Sequence, residues 1–448
     1  MAQCTRLLAL KRLIISAIGA AALGCLFYFW GTHGSWALMK LGGPGDRLVA
    51  LGRLAGLLAE AGVLLQIFLI GRIPFIEQAF GHDKLNRWHQ YNGFTLSAFL
   101  ILHPLLIILG HAVWSQTGFW GQAWTLVTVW DGVWEAFIAW VIFATIIIAS
   151  VRMFLHRRYR YETWYLIHLS VYAAIILVLE HQTNFGDFAG NPAAKFAWQS
   201  ITWGAFGLLV LFRFIRPLWN LNRFKFRIDR IVREAPDVHS IYITGRNLAA
   251  FRYRPGQFAN LFFLQKGMLF AHPFSFSLPP GGSEIRFTIR GAGDFTSRIN
   301  KLEAETRVVI DGPLGVFTRE IAQTDKFLLI AGGIGITPIR AMIEPLAAAG
   351  ADVILLYANR TEHDIVFKEE LLALQRRHPF KLYFFLEQHQ SSHEPGRIDG
   401  GHIKEYVSDY RERDIYFCGP AAMTEAIRHI VSGLGVAPAR IHFEKFGY

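Results

Sequence analysis

Four histidines stand in two apolar stretches of this 448-residue chain, His89 and His103 in one and His168 and His181 in the other. Imidazole nitrogen is a ligand for transition metals and for haem iron. The members of the two pairs are 14 and 13 residues apart. At a helical rise of ~1.5 Å per residue each interval spans roughly 20 Å. That is too far for one metal centre and suits two, one near each face of a bilayer. Two such helices facing each other would hold two bis-histidine haems, and would pass electrons through a membrane. A single histidine in an apolar run is ordinarily a packing residue, so the pairing carries the reading. His111, His33, His82 and His156 have no such pairing and read as interface or loop residues.

Those histidines must be positioned by membrane helices. Mean hydropathy is +0.29 and 52% of residues are hydrophobic, and the apolar excess lies in the first half. Six spans are predicted, at roughly 13–30, 48–70, 91–113, 132–151, 163–181 and 197–216, each long enough to cross ~30 Å of hydrocarbon. Lys11 and Arg12 before the first run are compatible with a leader peptide. That run ends in Phe27-Tyr28-Phe29-Trp30 with no small-residue cleavage site, which reads better as an interfacial aromatic anchor.

Charge orients the spans. Arg6, Lys11 and Arg12 precede the first, and Arg72, Lys84 and Arg87 separate the second from the third. Arg152, Arg157, Arg158 and Arg160 separate the fourth from the fifth, and Arg213, Arg216, Arg223, Lys225 and Arg227 follow the sixth. The opposite loops carry only Lys40, Arg47 and Lys195. The positive-inside rule then puts both termini in the cytoplasm. Spans three and five run in the same direction, so His89 pairs with His168 at the inner level and His103 with His181 at the outer level. Thirteen residues leave the second histidine off the face of an ideal helix, so span five is expected to tilt or bulge. The net charge of +11 is largely this topology signal, and no nucleic-acid partner is expected. The three cysteines, Cys4, Cys25 and Cys418, form no clustered motif, which argues against iron–sulfur, zinc or disulfide frameworks.

The second half reads as soluble. From Phe224 to about Asp325, short strands alternate with turns, among them Arg254-Pro-Gly-Gln-Phe258, His272-Pro-Phe-Ser-Phe-Ser277, Thr288-Ile-Arg-Gly-Ala-Gly-Asp-Phe-Thr296 and Asp311-Gly-Pro-Leu-Gly315. A small antiparallel β-barrel fits. From Phe327 to Tyr448, strands alternate with helices, as in a nucleotide-binding α/β sheet. Phe327-Leu-Leu-Ile330 is a buried strand, and Ala331-Gly-Gly-Ile-Gly-Ile-Thr-Pro338 follows it. Such a turn lets backbone N–H groups approach a pyrophosphate. Cys418-Gly-Pro420 ends a later strand, where ligands gather in such sheets.

On these motifs the soluble half resembles the ferredoxin–NADP reductase superfamily. Over roughly residues 13–448 the chain resembles the ferric reductase and NADPH oxidase family, which fuses that reductase to a six-helix, two-haem domain. The expected architecture is an all-α transmembrane bundle (1–220), a β-barrel FAD domain (221–323) and an α/β NAD(P)H domain (324–448). The resemblance places His272, Pro273, Phe274 and Ser275 along the flavin ring, with the Ser275 hydroxyl near N5. It places Arg290, Gly293 and Thr296 at the FAD phosphates, and Gly332, Gly333, Gly335 and Thr337 at the coenzyme pyrophosphate. Cys418, Gly419 and Pro420 lie where nicotinamide meets flavin, and Tyr448 resembles the terminal aromatic that stacks on the isoalloxazine. Arg360, after Tyr357-Ala-Asn, stands where a 2′-phosphate would lie, favouring NADPH with NADH open.

The implied cofactors are FAD and two haem b groups, with NAD(P)H as electron donor. The implied route runs from the flavin to the inner haem on His89 and His168, then to the outer haem on His103 and His181. The acceptor outside is expected to be O2, with a ferric chelate or a periplasmic protein as the alternatives. Arg53 and Arg72, near the ends of span two, resemble arginines of the NADPH oxidases, and Arg53 would stabilise nascent superoxide or a propionate. Animal oxidases carry a histidine one turn beyond the outer span-three ligand. Here that position is Ile107, which puts the oxygen site in doubt. No EF-hand loop or long cytosolic insertion is visible, so activity without an obligatory activator is expected. The short loops suggest a bacterial inner-membrane protein.

Overall fold

The computed structural model describes residues 2–32, 34–156, 161–185, 187, 191–388 and 394–446. Among the described residues, eleven α-helices come first. They are α1 (Ala2–Thr32), α2 (Ser35–Leu41), α3 (Pro44–Ile70), α4 (Pro74–Phe80), α5 (His82–Ser115), α6 (Phe119–Val129), α7 (Val133–His156), α8 (Tyr161–Leu169), α9 (Val171–Asn184), α10 (Pro192–Val210) and α11 (Arg216–Phe224). Among the described residues, six stretches are long and apolar enough to cross a membrane: Leu8–Thr32, Pro44–Ile70, His82–Ser115, Val133–Met153, Glu162–Leu179 and Pro192–Phe224. Each contains or overlaps one expected span. The chain divides into two compact units. One comprises residues 12–76 and 83–211; the other takes in 1–11, 77–82 and 212–448.

In the membrane unit, glycines on α3 let it approach α5 closely. A Cβ at Gly52 would lie 2.8 Å from Ile107 Cδ1, and one at Gly56 would lie 2.7 Å from the His103 ring. Small residues of this kind bring transmembrane backbones together. Pro104 interrupts the α5 hydrogen-bond ladder, because proline has no N–H for the carbonyl four residues earlier. That carbonyl, on Leu100, accepts from Trp140 Nε1 at 2.9 Å, so α7 replaces the missing donor. Span five is broken between its two histidines. α8 ends at Leu169 and α9 begins at Val171, and the Ser170 N–H bonds the Ile167 carbonyl three residues back. This is the irregularity that the 13-residue interval required. α6 was not expected from the residue pattern, and its Trp120 and Trp124 are 82% and 71% exposed. Such indoles suit a membrane interface.

The other unit holds three sheets. The strands are β1 (Arg227–Ala235), β2 (Val238–Thr244), β3 (Phe258–Phe263), β4 (His272–Ser275), β5 (Ile285–Arg290), β6 (Val308–Leu314), β7 (Lys326–Gly332), β8 (Asp352–Asn359), β9 (Lys381–Leu386), β10 (Glu394–Pro395), β11 (Asp414–Pro420) and β12 (Ile441–Phe446). Sheets β1-β2-β5 and β4-β3-β6 are antiparallel. Single bridges Arg227–Arg307 and Phe276–Phe287 tie them together. They enclose one core of Ile228, Ile241, Leu261, Phe276, Phe287 and Ile310. This is the expected small barrel.

The third sheet has the order β10-β9-β8-β7-β11-β12 and is parallel throughout. Alternate residues of its strands supply two cores. Leu329, Leu355 and Tyr357 pack with α12 (Ile336–Ala348) and α13 (Lys368–Arg377). Leu328, Ile330 and Leu356 pack with α14 (Gly400–Tyr406) and α15 (Ala421–Gly433). Burial on both faces is why β7 and β8 read as continuous apolar runs. The strand order reverses direction between β7 and β11, and ligands bind at the carboxyl ends of strands beside such a point.

Candidate redox centres

The structure brings the four histidines together in the expected pairs. The ring centroids of His89 and His168 are 6.0 Å apart with planes 68° from parallel. Those of His103 and His181 are 6.1 Å apart at 65°. A metal–imidazole bond is about 2 Å and the ring centre lies about 1 Å beyond the nitrogen, so one ion between two such rings would separate the centroids by about 6 Å. Among the described residues no group of three or more His, Cys, Asp or Glu side chains forms a metal site. Each pair therefore has the spacing of two imidazoles that could hold one metal ion between them.

His103 is oriented by its surroundings. Its Nδ1 is 2.8 Å from the Gly52 carbonyl oxygen, a contact that puts the proton on Nδ1 and leaves Nε2 able to bind a metal. Gly56 leaves room for the ring. Arg53 lies on the same helix, 3.8 Å from Asp187 through Nη1. Asp187 also accepts from Ser35 Oγ at 2.7 Å. Arg53 is thus already ion-paired, a partnership not anticipated from sequence. Ile107 packs against Gly52. Glu60 was also not anticipated, although a carboxylate in an apolar span marks itself. It is buried, and Trp198 Nε1 donates to it.

In the barrel, Ser275 is buried on β4 opposite Phe258, and Pro273 lies opposite Asn260. Asn260 thus shares a sheet face with Ser275, and its buried Nδ2 has no hydrogen-bond partner. The His272 ring lies 3.9 Å from that of Phe295 and 6.5 Å from that of Phe274. The turn after β5 is closed on itself, with Thr296 Oγ1 accepting from Ala292 N–H at 2.9 Å and from Gly293 N–H at 3.0 Å. Arg290 Nε is 3.4 Å from Asp237. A Cβ at Gly333 would come within 3.3 Å of Arg290 Nη1, so this arginine lies between the barrel turn and the glycine turn.

The glycine turn follows β7. Gly333 has φ +52, in the left-handed region that glycine occupies without steric cost. Cys418 pairs in register with Ala331, which brings Cys418-Gly419-Pro420 beside Gly332-Gly333. A Cβ at Gly335 would collide with the Cys418 carbonyl oxygen, and one at Gly332 with the Met423 sulfur. These two glycines therefore let the turn pack directly against the end of β11 and against Met423. Thr337 Oγ1 donates to the Ile334 carbonyl at 3.0 Å. Tyr357 Oη donates to the Gly333 carbonyl at 3.1 Å and accepts from Val366 N–H at 3.2 Å. Burial pushes the Tyr357 phenol far above its ordinary value, so it stays a donor. Its role as a fastener was not anticipated, because in sequence it reads as a core aromatic. Arg360 is exposed just beyond β8. Tyr448 lies outside the described residues.

Comparison with known proteins follows this division. Residues 55–179 match the family described as ferric reductase like transmembrane component, and residues 329–429 match the oxidoreductase NAD-binding domain. The glycine betaine monooxygenase reductase subunit of Chromohalobacter salexigens is 28% identical over 51% of this chain and 66% of its own length. The electron transfer component of toluate 1,2-dioxygenase from Pseudomonas putida is 33% identical over 46% of this chain and 62% of its own length. The match therefore covers just under two thirds of each relative. Among solved structures, the flavohemoglobin of Malassezia yamatoensis is 19% identical, covers 87% of this chain and 99% of its own, and has a TM-score of 0.48. The chain is a membrane oxidoreductase that joins a ferric reductase-like transmembrane component to an FAD- and NAD(P)H-binding module, a combination that matches the ferric reductase and NADPH oxidase-like fusion.

Proposed function

We propose that this protein takes electrons from cytoplasmic NAD(P)H and delivers them across the membrane, with O2 as the acceptor outside. The observation that carries the reading is the two facing imidazole pairs, 6.0 and 6.1 Å between centroids, formed by the same two membrane stretches. FAD supplies the change from hydride to single-electron chemistry, and two haem b groups supply one-electron carriers. His89 and His168 would hold one haem, and His103 and His181 the other. Ser275, with the His272–Phe274 segment, would line the flavin, and the unpartnered Asn260 Nδ2 on the same face suits a flavin acceptor atom. Gly332, Gly333, Gly335 and Thr337 would receive the coenzyme pyrophosphate. Gly293 and Thr296 shape the turn toward the FAD phosphates, with Arg290 reaching between the two nucleotides. Cys418, Gly419 and Pro420 border the nicotinamide position. The exposed Arg360 would pair with a 2′-phosphate, favouring NADPH.

Iron held by both imidazoles of a pair would pass electrons without binding the acceptor, which would then be met by protein side chains. Arg53, on the helix that packs against His103, is a candidate for that contact. Its pairing with Asp187 and the isoleucine at 107 favour a second reading, in which a ferric chelate is the acceptor. Purified protein in liposomes, supplied with NADPH, separates the two. O2 as acceptor gives superoxide in step with NADPH consumption. Negligible oxygen consumption beside rapid anaerobic reduction of a ferric chelate overturns it in favour of the second reading. Failure of both acceptors points to a docking protein.

A further inference from the structure

The unit that holds the sheets contains a buried ion cluster that no coenzyme or flavin contact explains. Arg286 lies on β5 of the barrel, Arg340 on α12 beyond the glycine turn, and Glu370 on α13. The Arg286 side chain is 3% exposed and that of Arg340 is 5% exposed. Arg286 donates to Glu370 through Nη1 at 2.7 Å and Nη2 at 3.1 Å. Its remaining donors reach Ser277 Oγ at 3.0 Å, the Ser277 carbonyl at 2.9 Å and Tyr242 Oη at 3.4 Å. All five guanidinium N–H groups are thus used. Arg340 Nε also donates to Glu370. The Arg286 guanidinium lies 4.1 Å over the Phe367 ring, and Phe367 is held at φ +64, a conformation costly for a bulky residue. Burial alone would raise Glu370, but Arg286 and Arg340 outweigh it and hold its carboxyl below the ordinary range. It is therefore charged under working conditions.

The cluster joins the two elements whose ends meet at the nucleotide turn. β5 carries Arg286 and, four residues on and on the same face, Arg290, which reaches Gly333. α12 carries Arg340 one turn after its start at Ile336, directly beyond Gly335. A bidentate carboxylate between two arginines fixes distance and angle together. A buried charge set of this kind is better suited to specifying geometry than to adding stability.

We propose that Arg286, Glu370 and Arg340 form a latch that holds the nucleotide-binding sheet in register with the barrel, so that the nicotinamide meets the flavin in reacting position. Glu370 is a positioning residue and touches neither group. The inference rests on the hydride step of the proposed function.

The test is Glu370→Gln in the full-length protein with FAD bound, against wild type. Anaerobic stopped-flow with NADPH reads the limiting rate of flavin reduction and the coenzyme concentration for half-saturation. The long-wavelength nicotinamide–flavin charge-transfer absorbance reads stacking. The limiting rate is expected to fall about 100-fold, the scale of an ångström-level misplacement. Half-saturation should stay within about threefold of wild type, since binding contacts are untouched. The charge-transfer absorbance should fall, and Glu370→Asp should recover part of it. FAD content and thermal unfolding check folding; if Glu370→Gln loses FAD, Arg340→Gln loosens the same latch from its outer leg and carries the same expectation. A variant with the wild-type limiting rate and absorbance overturns the latch, as does a loss confined to half-saturation. Wild-type flavin that neither NADPH nor NADH reduces overturns the hydride reading, and the latch with it.

Discussion

At the scale of single residues, chemistry that depends on repeated residue types was legible in the sequence, and chemistry that depends on one shared partner was not. The histidine pairs were legible because charge asymmetry and spacing gave each ring a depth. The Arg53–Asp187 pair was not, because 134 positions separate its members in the chain and only the fold joins them. Tyr357 belongs to the same class. Its hydroxyl links the Gly333 carbonyl to the Val366 N–H, whereas its ring alone would suit any core. Tyr357→Phe keeps the ring and removes both bonds. One lost hydrogen bond of about 1 kcal/mol corresponds to roughly fivefold weaker coenzyme binding. Titration of the flavin spectrum with NADP⁺ checks this, with FAD content unchanged. Unaltered affinity would mean that the turn holds its shape without the hydroxyl.

At the scale of elements, the strands were legible from apolar runs and the glycine turn from its punctuation. The break in span five was legible in a weaker sense, since a 13-residue interval demanded an irregularity without locating it at Ser170. The Arg286–Glu370–Arg340 cluster was not, because isolated charges on a strand and two helices read as solvated faces. The α3–α5 crossing makes a direct expectation. Gly56→Ala places a methyl group 2.7 Å from the His103 Nδ1, an overpacking of about 1–3 kcal/mol that the ring must relieve by moving. Haem content should fall from two toward one per chain while FAD content holds; two retained haems with wild-type spectra would show that the helices yield instead. Asp414 makes a second. Burial pushes its carboxyl up. Bonds from His442 Nε2, from the Thr324 and Gln323 N–H groups and from the Thr324 hydroxyl outweigh this and hold it below the ordinary range. A depressed folded-state value contributes stability above the unfolded value of about 4, and that stability is lost as pH falls through the folded value. Asp414→Asn should lower the temperature of flavin release at neutral pH by the loss of charge-assisted bonds worth about 1.5–3 kcal/mol. Its deficit relative to wild type should shrink as the pH drops below about 4. A deficit independent of pH would assign the effect to packing.

At the scale of the whole molecule, the architecture followed from two patterns that do not overlap. Apolar runs with one-sided basic loops marked the membrane part, and short strands followed by alternating strands and helices marked the nucleotide-binding part. The acceptor was not legible, because no motif marks it; in the proposed reading it depends on how side chains such as Arg53, Asp187 and Ile107 combine near His103. The central claim is that electrons cross the membrane through His89–His168 and His103–His181. The most direct measurement uses liposomes that carry the protein with its NADPH site outward and a membrane-impermeant ferric chelate sealed within. External NADPH should reduce the trapped chelate under anaerobic conditions. His103→Leu should abolish that reduction while NADPH still reduces the flavin and an external dye. Trapped chelate that stays oxidised with wild-type protein whose flavin is reduced, or that is reduced equally well by His103→Leu, would contradict the account.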